Sequence, residues 1–430
     1  MKIAVVALGK IGLPLAVQFA DKGHEVIGCD VNAHAVDLIN QGIEPFPGEA
    51  HLAEKLATLV PAGKLRATTD TTSAVAESEA VVVVVPLFVD NDGVPDFGWM
   101  DAATESIAKG LKPGTLVSYE TTLPVGTTRT RFGPMLEKIS GLVAGKDFHL
   151  VFSPERVLTG RVFADLRRYP KLVGGIDAES GKRGVKFYEA VLDFDLREDL
   201  QRGNGVWDLG SAEASEMAKL AETTYRDVNI GLANQFARFA ETAGIDIYQV
   251  IAASNSQPYS HIHQPGIAVG GHCIPIYPRF YLWNDPAATV VRSAREANAG
   301  MPVHAISLLT ADLGDLKGKR VAVLGVSYRG GVKESAFSGV FPTVAELTRL
   351  GAVVTVHDPM YTDEEITALK FTPHHIGEAV DGVVTQADHA EYRSLSAKDF
   401  PGVSAIVDGR RIFDQSLFPG VAYRVIGKAQ

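Results

Sequence analysis

The sequence predicts an α/β protein of two doubly wound halves joined by a long central helical segment. Residues 2–7 and 319–326 are short continuous apolar runs that each end in a glycine-containing turn. Each is followed by a helical pattern and a second apolar run closed by an acid, Asp30 in the first case and Asp358 in the second. Between them, residues 211–244 contain no proline and carry apolar side chains at helical spacing through Met217, Leu220, Val228, Leu232, Phe236 and Phe239. Strand, tight turn, helix and acid-closed strand form the unit of a nucleotide-binding sheet. The expected fold is therefore two Rossmann-like doubly wound domains joined by a long central helical dimerisation segment. The expected boundaries are 1–205, 206–312 and 313–430.

In the first unit the turn is Leu8-Gly9-Lys10-Ile11-Gly12. Bare amides at a helix amino terminus suit a pyrophosphate, and Asp30 at the next strand end suits ribose hydroxyls while repelling a 2′-phosphate. Gly9, Ile11, Gly12 and Asp30 are thus expected to bind NAD rather than NADP. The first glycine of the usual three is Ala7, which is expected to keep φ below zero. Residues 80–85 (AVVVVV) form a buried parallel strand. Strands at 116–119 and 148–152 are followed by TTLPVG, carrying Thr122, and SPERV, carrying Glu155. Ligands of open α/β sheets bind at the carboxyl ends of strands. Thr122 suits a position beside nicotinamide or substrate, with a turn threonine as the alternative. Glu155 suits a general base or water-positioning group, with a solvated glutamate as the alternative. Residues 171–175 (KLVGG) have the look of this domain's last strand.

A helix over 211–244 spans about 45–50 Å at ~1.5 Å per residue, long enough to link domains and pack against a copy of itself. A homodimer is expected. Lys219 and Thr223 are four apart and share one face, and the polar run at 225–229 suits bridging between domains or subunits. Residues 269–277, VGGHCIPIY, place Cys273 after two glycines that allow close backbone approach. A thiol there suits nucleophilic capture of a carbonyl, with a small inert hydrophobe as the alternative. In the third domain Asp408-Gly409-Arg410-Arg411 follows a strand, and its arginines suit a phosphate or a partner subunit's ligand.

Bulk composition narrows the function classes. With 46% hydrophobic and 21% charged residues the chain is ordinary for a soluble globular protein. Lys plus Arg number 41 against 51 for Asp plus Glu, a net charge of −10, which argues against a nucleic-acid partner. No apolar run approaches the ~20 residues of a membrane span, so no membrane partner is expected. No signal peptide is expected from MKIAVVALG, and Cys29 and Cys273 cannot build a disulfide framework. A cytoplasmic location follows as an expectation, with no metal.

The motifs GKIGLPLA, TTLPVGT, SPERV, AKLAETTYRDVN, VGGHC and DGRR, in this order, resemble the nucleotide-sugar 6-dehydrogenases, the family of UDP-glucose and UDP-N-acetylmannosamine dehydrogenases. SPERVL and TYRDVN are most similar to the N-acetylhexosamine branch. The resemblance implies NAD on the first domain, UDP on the third, and oxidation of a UDP-sugar C6 alcohol to a carboxylate with two NAD and one water. It implies Cys273 as nucleophile through a thiohemiacetal and thioester, Lys219 as oxyanion stabiliser, and Glu155 serving water or hydrolysis. Thr122 would orient water or nicotinamide, and Thr223 stands where an asparagine donor is usual. Glu155, Arg156, Lys219 and Gly270 would meet substrate. Arg410 would reach it from the partner chain, Arg329 stands where a UDP-contacting lysine is frequent, and Lys333 stands where an arginine contacts NAD. The chain departs from the pattern at Tyr277, where an aspartate is usual, and in lacking an arginine near Tyr259. UDP-glucose is the alternative substrate. A β-hydroxyacid dehydrogenase would need neither VGGHC nor the third domain. A binding protein without turnover would not need Cys273, Lys219 and Glu155 together.

Overall fold

The first sheet forms because its strands are apolar on both faces and helices cover both. The computed structural model describes residues 1–90 and 93–429, which divide into two units, Met1–Ala221 and Glu222–Gln430. The first unit opens with β1 (Lys2–Val6), α1 (Gly12–Asp21), β2 (Glu25–Cys29), α2 (Ala33–Asn40), α3 (Leu52–Leu59), β3 (Leu65–Thr68), α4 (Thr71–Glu77) and β4 (Ala80–Val83). After a short antiparallel pair, β5 (Phe88–Val89) and β6 (Pro95–Asp96), come α5 (Gly98–Gly110), β7 (Leu116–Tyr119), α6 (Gly133–Ser140) and β8 (His149–Phe152). The unit closes with α7 (Val162–Arg168), β9 (Lys171–Gly175), α8 (Ala178–Val191), β10 (Val206–Asp208) and the first turns of α9 (Ala212–Ala243).

Among the described residues the sheet order is β10-β9-β8-β7-β4-β1-β2-β3. The chain leaves β1 in one direction toward β3 and returns to β4 on its other side, so the switch point lies at the carboxyl ends of β1 and β4, where such sheets bind ligands. Strand β4 is buried at every position, as expected of a central parallel strand. One expectation is corrected here. Residues 171–175 are not the last strand, because β10 pairs beyond them, and β9 runs antiparallel to β8.

Helix α9 has 32 residues, about 48 Å at 1.5 Å each, and continues into the second unit. There follow α10 (Ile247–Ser254), α11 (Tyr277–Asn284), α12 (Thr289–Ala299), α13 (Met301–Leu313), β11 (Arg320–Leu324), α14 (Val340–Arg349), β12 (Val353–His357), α15 (Asp363–Ala368), β13 (Gly382–Thr385), β14 (Ala405–Asp408) and β15 (Ala422–Val425). The five strands are parallel in the order β12-β11-β13-β14-β15. Ala237, Ile247, Ile267, Met301 and Leu309 share one buried cluster with Val321, Val323 and Val407. The helices after α9 and the second sheet therefore have a common core.

Within the polar run at 225–229, Asp227 and Asn229 bind other segments of the second unit, while Tyr225 is exposed. Asp227 is buried and accepts from Arg295 Nη1 (2.7 Å) and Asn298 Nδ2 (2.8 Å) of α12. Asn229 donates to the His261 carbonyl (2.7 Å) and accepts from the His263 amide (2.9 Å). Both tie α9 to segments of its own unit, one of which leads into the cysteine loop.

Candidate active site

At the carboxyl end of β1 the turn is shaped by close approach. A Cβ at Gly12 would lie 1.9 Å from the Ala7 carbonyl oxygen, whereas at Gly9 nothing lies within 4 Å. Gly12 is therefore required by packing, and Gly9 leaves its backbone open toward a ligand. Ile11 is the N-cap of α1 and contributes no side-chain cap, leaving the first helical amides without that partner. Ala7 corrects its expectation, because its φ is +75°. The reason lies in its neighbours. The Ala7 amide extends the ladder to the Cys29 carbonyl (2.8 Å), and the next amide, of Leu8, must turn to Asp30 Oδ2 (2.8 Å). Asp30 also accepts from the Asn32 amide through Oδ1 (2.9 Å), so it pins the turn.

Beyond β7 and β8 the structure gathers a charged cluster. Glu155 sits past β8, and its backbone carbonyl accepts from Lys219 Nζ (2.6 Å) on α9. Lys219 is only 6% exposed, so this lysine is not a solvated charge. The Glu155 carboxylate accepts from the Arg156 amide (2.7 Å) and from Lys171 Nζ (3.2 Å). The same Lys171 Nζ donates to Glu120 Oε2 (2.5 Å), and Tyr188 OH donates to Glu120 Oε1 (2.6 Å). Burial opposes ionisation of Glu155, but the Lys171 charge, the Glu120 carboxyl and the Arg156 amide together hold it below the usual carboxylate range. Burial pushes Glu120 up to about 7, against the pull of Lys171 and with the push of Glu155. Burial alone would lower Lys171, but the two carboxylates outweigh it and keep the ammonium charged. Arg156 itself donates to the Pro170 carbonyl (3.2 Å).

Thr122 is buried in the loop after β7. That loop is fastened by Glu216, fully buried on α9, which accepts from the Gly126 amide (2.5 Å), the Thr128 amide (2.9 Å) and Thr128 Oγ1 (2.7 Å). Burial raises Glu216 to about 7, the three donors opposing it. Glu216 and Lys219 are three residues apart, so one helix face carries both. Thr223, one turn further on, is fully buried.

In the second unit Cys273 is a half-buried free thiol. Its loop lies against the loop after β11. A Cβ at Gly270 would fall 2.4 Å from Tyr328 Cβ and 3.0 Å from the Phe337 carbonyl, and Gly271 (φ +90°) donates to the Ala336 carbonyl (2.9 Å). His272 Nε2 is 3.6 Å from Glu334 Oε2. The Tyr277 amide donates to the Cys273 carbonyl (2.9 Å), placing the cysteine one turn ahead of α11. Arg410 is half-buried, and its guanidinium donates to the carbonyls of Gln386 (2.8 Å), Ala268 (3.1 Å) and Tyr328 (3.2 Å) in its own chain. It thereby braces both the cysteine loop and the loop after β11. Arg329 is exposed over the Tyr328 ring, and Lys333 pairs with Glu365 (2.6 and 2.7 Å).

Comparison with known proteins accounts for both halves. Residues 1–192, 213–299 and 322–415 match the NAD binding, central and UDP binding domains of the UDP-glucose/GDP-mannose dehydrogenase family. The chain belongs to this family. It is 33% identical over 437 residues to a UDP-N-acetyl-D-mannosamine dehydrogenase of Pyrococcus horikoshii, with 100% of this chain and 99% of the relative covered. A solved structure of UDP-D-ManNAc dehydrogenase from Pyrococcus horikoshii superposes with a TM-score of 0.87 at 31% identity, covering 99% of each chain. A UDP-glucose dehydrogenase from Pyrobaculum islandicum superposes at 0.86 and 25% identity, covering 100% of this chain and 98% of the other.

As a member of this family the protein is an NAD-dependent dehydrogenase of the UDP-sugar class. The residues at β1 and β2 fit the cofactor: an open Gly9, helix amides at α1 and the Asp30 carboxylate are the donor and acceptor set a dinucleotide asks for. Among the described residues no cluster of His, Cys, Asp or Glu could hold a metal, and no helix is long and apolar enough to cross a membrane. Sequence reasoning passed over Glu120, Lys171 and Glu216. The signal available for Glu120 and Lys171 was a charged residue at the edge of an apolar strand, in YETT and in PKLVGG.

Proposed function

We propose that this dehydrogenase oxidises the C6 alcohol of a UDP-N-acetylhexosamine, UDP-N-acetylmannosamine foremost, to the uronate. The observation that carries the reading is the full-length likeness to UDP-N-acetyl-D-mannosamine dehydrogenases, together with the same chemistry-bearing residues in this chain. Bound NAD supplies the hydride acceptor for each of two two-electron oxidations. The Cys273 thiolate adds to the C6 aldehyde, forming a C–S bond and moving an electron pair onto oxygen. The Lys219 ammonium stabilises that oxyanion, and Thr223 donates beside it. The resulting thiohemiacetal is a hydride donor that cannot leave the enzyme, and its oxidation gives a thioester. Glu155 orients water for attack on the thioester, whose C–S bond breaks to return the thiolate. Thr122 orients water or the nicotinamide ring. Arg156, Gly270, Arg329 and Arg410 contact the nucleotide sugar, Arg410 also holding the loops that frame it, and Lys333 is assigned to the cofactor.

The active form is a homodimer. Tyr225, Leu232, Phe236 and Phe239 are between 38% and 68% exposed and recur at spacings of seven, four and three along α9, the pattern of a helix that packs on a second helix. Two free thiols suit a reducing cytoplasm. The test is reduction of NAD with a panel of UDP-sugars, for the wild type and Cys273→Ser. Wild-type turnover of UDP-N-acetylmannosamine, with loss of acid formation in the serine variant, is the expected result. Absence of NAD reduction with every sugar, or unchanged acid formation by Cys273→Ser, would refute it. Preference for UDP-glucose in the same panel would overturn the substrate assignment alone.

A further inference from the structure

Burying two carboxylates around one ammonium costs desolvation energy that a single positive charge offsets only in part. Lys171 Nζ lies 2.5 Å from Glu120 and 3.2 Å from Glu155, and 4.8 Å from the face of the Tyr188 ring. Glu120 is fully buried behind Glu155 and is anchored by Tyr188 OH, itself 2.6 Å from Ser118 Oγ. Glu155 retains 12% side-chain exposure, whereas Glu120 has none. The other charged groups packed here are Lys219, on the Glu155 carbonyl, Arg156, the next residue, and Asp165, which pairs with Arg161 (2.6 Å). A void of about 10 Å³, room for about one water, is bounded by Glu155, Lys171, Asp165 and Tyr169. Both carboxylates cannot shed their protons independently, because each ionises in the field of the other.

We propose that Glu120 and Glu155 act as one proton-accepting unit around Lys171, Glu155 meeting the water and Glu120 serving as a positioning residue that holds the accepted proton behind it. The inference rests on the role of Glu155 in thioester hydrolysis proposed above. In that step the water oxygen bonds to C6, its O–H bond breaks, and the proton enters at Glu155 and is shared with Glu120. The C–S electron pair returns to Cys273, and no electrons pass to any oxidant. Glu155 alone, held ionised by Lys171, is a weak base. Burial pushes Glu120 up, so a proton shared with it is held nearer neutrality, where a general base is most effective.

The test has two arms on the intact protein. In the first, the protonated-carboxyl stretch is followed by infrared spectroscopy against pH as difference spectra, wild type minus Glu120→Gln and Tyr188→Phe minus Glu120→Gln, which cancels the Glu216 carboxyl that is also pushed up to about 7. A difference band lost with a midpoint near neutrality for the wild type, and at higher pH for Tyr188→Phe, is expected. In the second, kcat for acid formation from UDP-N-acetylmannosamine is measured against pH. Glu120→Gln is expected to lose about tenfold or more at pH ~8 and to lose the near-neutral limb of the profile. A uniform fall in kcat with the wild-type limb retained, or no wild-type minus Glu120→Gln band titrating near neutrality, would overturn the proposal. The infrared arm needs no substrate, so failure of the proposed reaction and failure of the shared proton are read separately.

Discussion

Replacing Ala7 by glycine is expected to stabilise the first unit. Ala7 is a non-glycine residue at φ +75°, in the left-handed region where a Cβ crowds the following carbonyl. That conformation costs an L-residue about 1–2 kcal/mol. Glycine removes the cost but loses about 0.4–1 kcal/mol more through the greater freedom of its unfolded chain. The balance favours Ala7→Gly by about 0.5–1 kcal/mol. For a unit of this size each kcal/mol moves the midpoint by about 2–4 °C, so a rise of about 1–4 °C is expected in the transition of the first unit. Calorimetry of the wild type, Ala7→Gly and Ala7→Val is the assay, with the β-branched variant expected to fall below the wild type. The reverse order, with glycine least stable, would refute the strain at this residue and with it the account of the turn. NAD affinity should hold or improve in Ala7→Gly, because its amide already belongs to the strand ladder.

Gly270→Ala should depress kcat while leaving NAD affinity intact, since its Cβ would meet Tyr328 Cβ and displace the cysteine loop; Tyr328→Gly in the same chain should restore part of the rate. Glu216→Ala should destabilise by about 1–3 kcal/mol by leaving buried donors without an acceptor. Because burial raises Glu216, its folded form binds the proton more tightly than the unfolded chain. Its stabilising share is full below the ordinary carboxylate range and is lost as pH rises through about 7, so Glu216→Gln should flatten that slope in denaturant titrations. His357 and His374 are depressed chiefly by burial, so the unfolded chain takes up their protons first. Stability should fall as pH drops below about 6.5, and His374→Gln should remove part of the fall, read as a shift in denaturation midpoint.

Much of the fold was legible because its signals are local. Apolar runs closed by glycine turns and acids mark both sheets, and 32 residues without proline mark α9. Cys273, Lys219, Glu155 and Asp30 could be singled out because each stands beside a turn, on a helix face or at a strand end whose chemistry is visible nearby. The backbone of Ala7 was not legible. Its φ is set by the demand of Asp30, 23 residues away, for the Leu8 amide. Nor was the placement of Asp227 and Asn229, whose partners on α12 and in the segment at 261–263 are joined to them only by folding.

The Glu120, Glu155 and Lys171 cluster shows where the division falls. Short-range pattern alone determines that Glu120 and Glu155 leave the carboxyl ends of two buried strands, because apolar runs of that length can only be strands covered on both faces. The same pattern gives Lys171 as the first residue of a third strand, which in a parallel sheet would put it at the opposite edge. Strand β9 instead runs antiparallel to β8, pairing Val151 with Gly175 and Phe152 with Gly174. That reversal carries the amino end of β9 to the carboxyl edge of β7 and β8, and the ammonium arrives between the two carboxylates. Strand direction is a property of how the chain returns to the sheet, so only the tertiary structure could decide it.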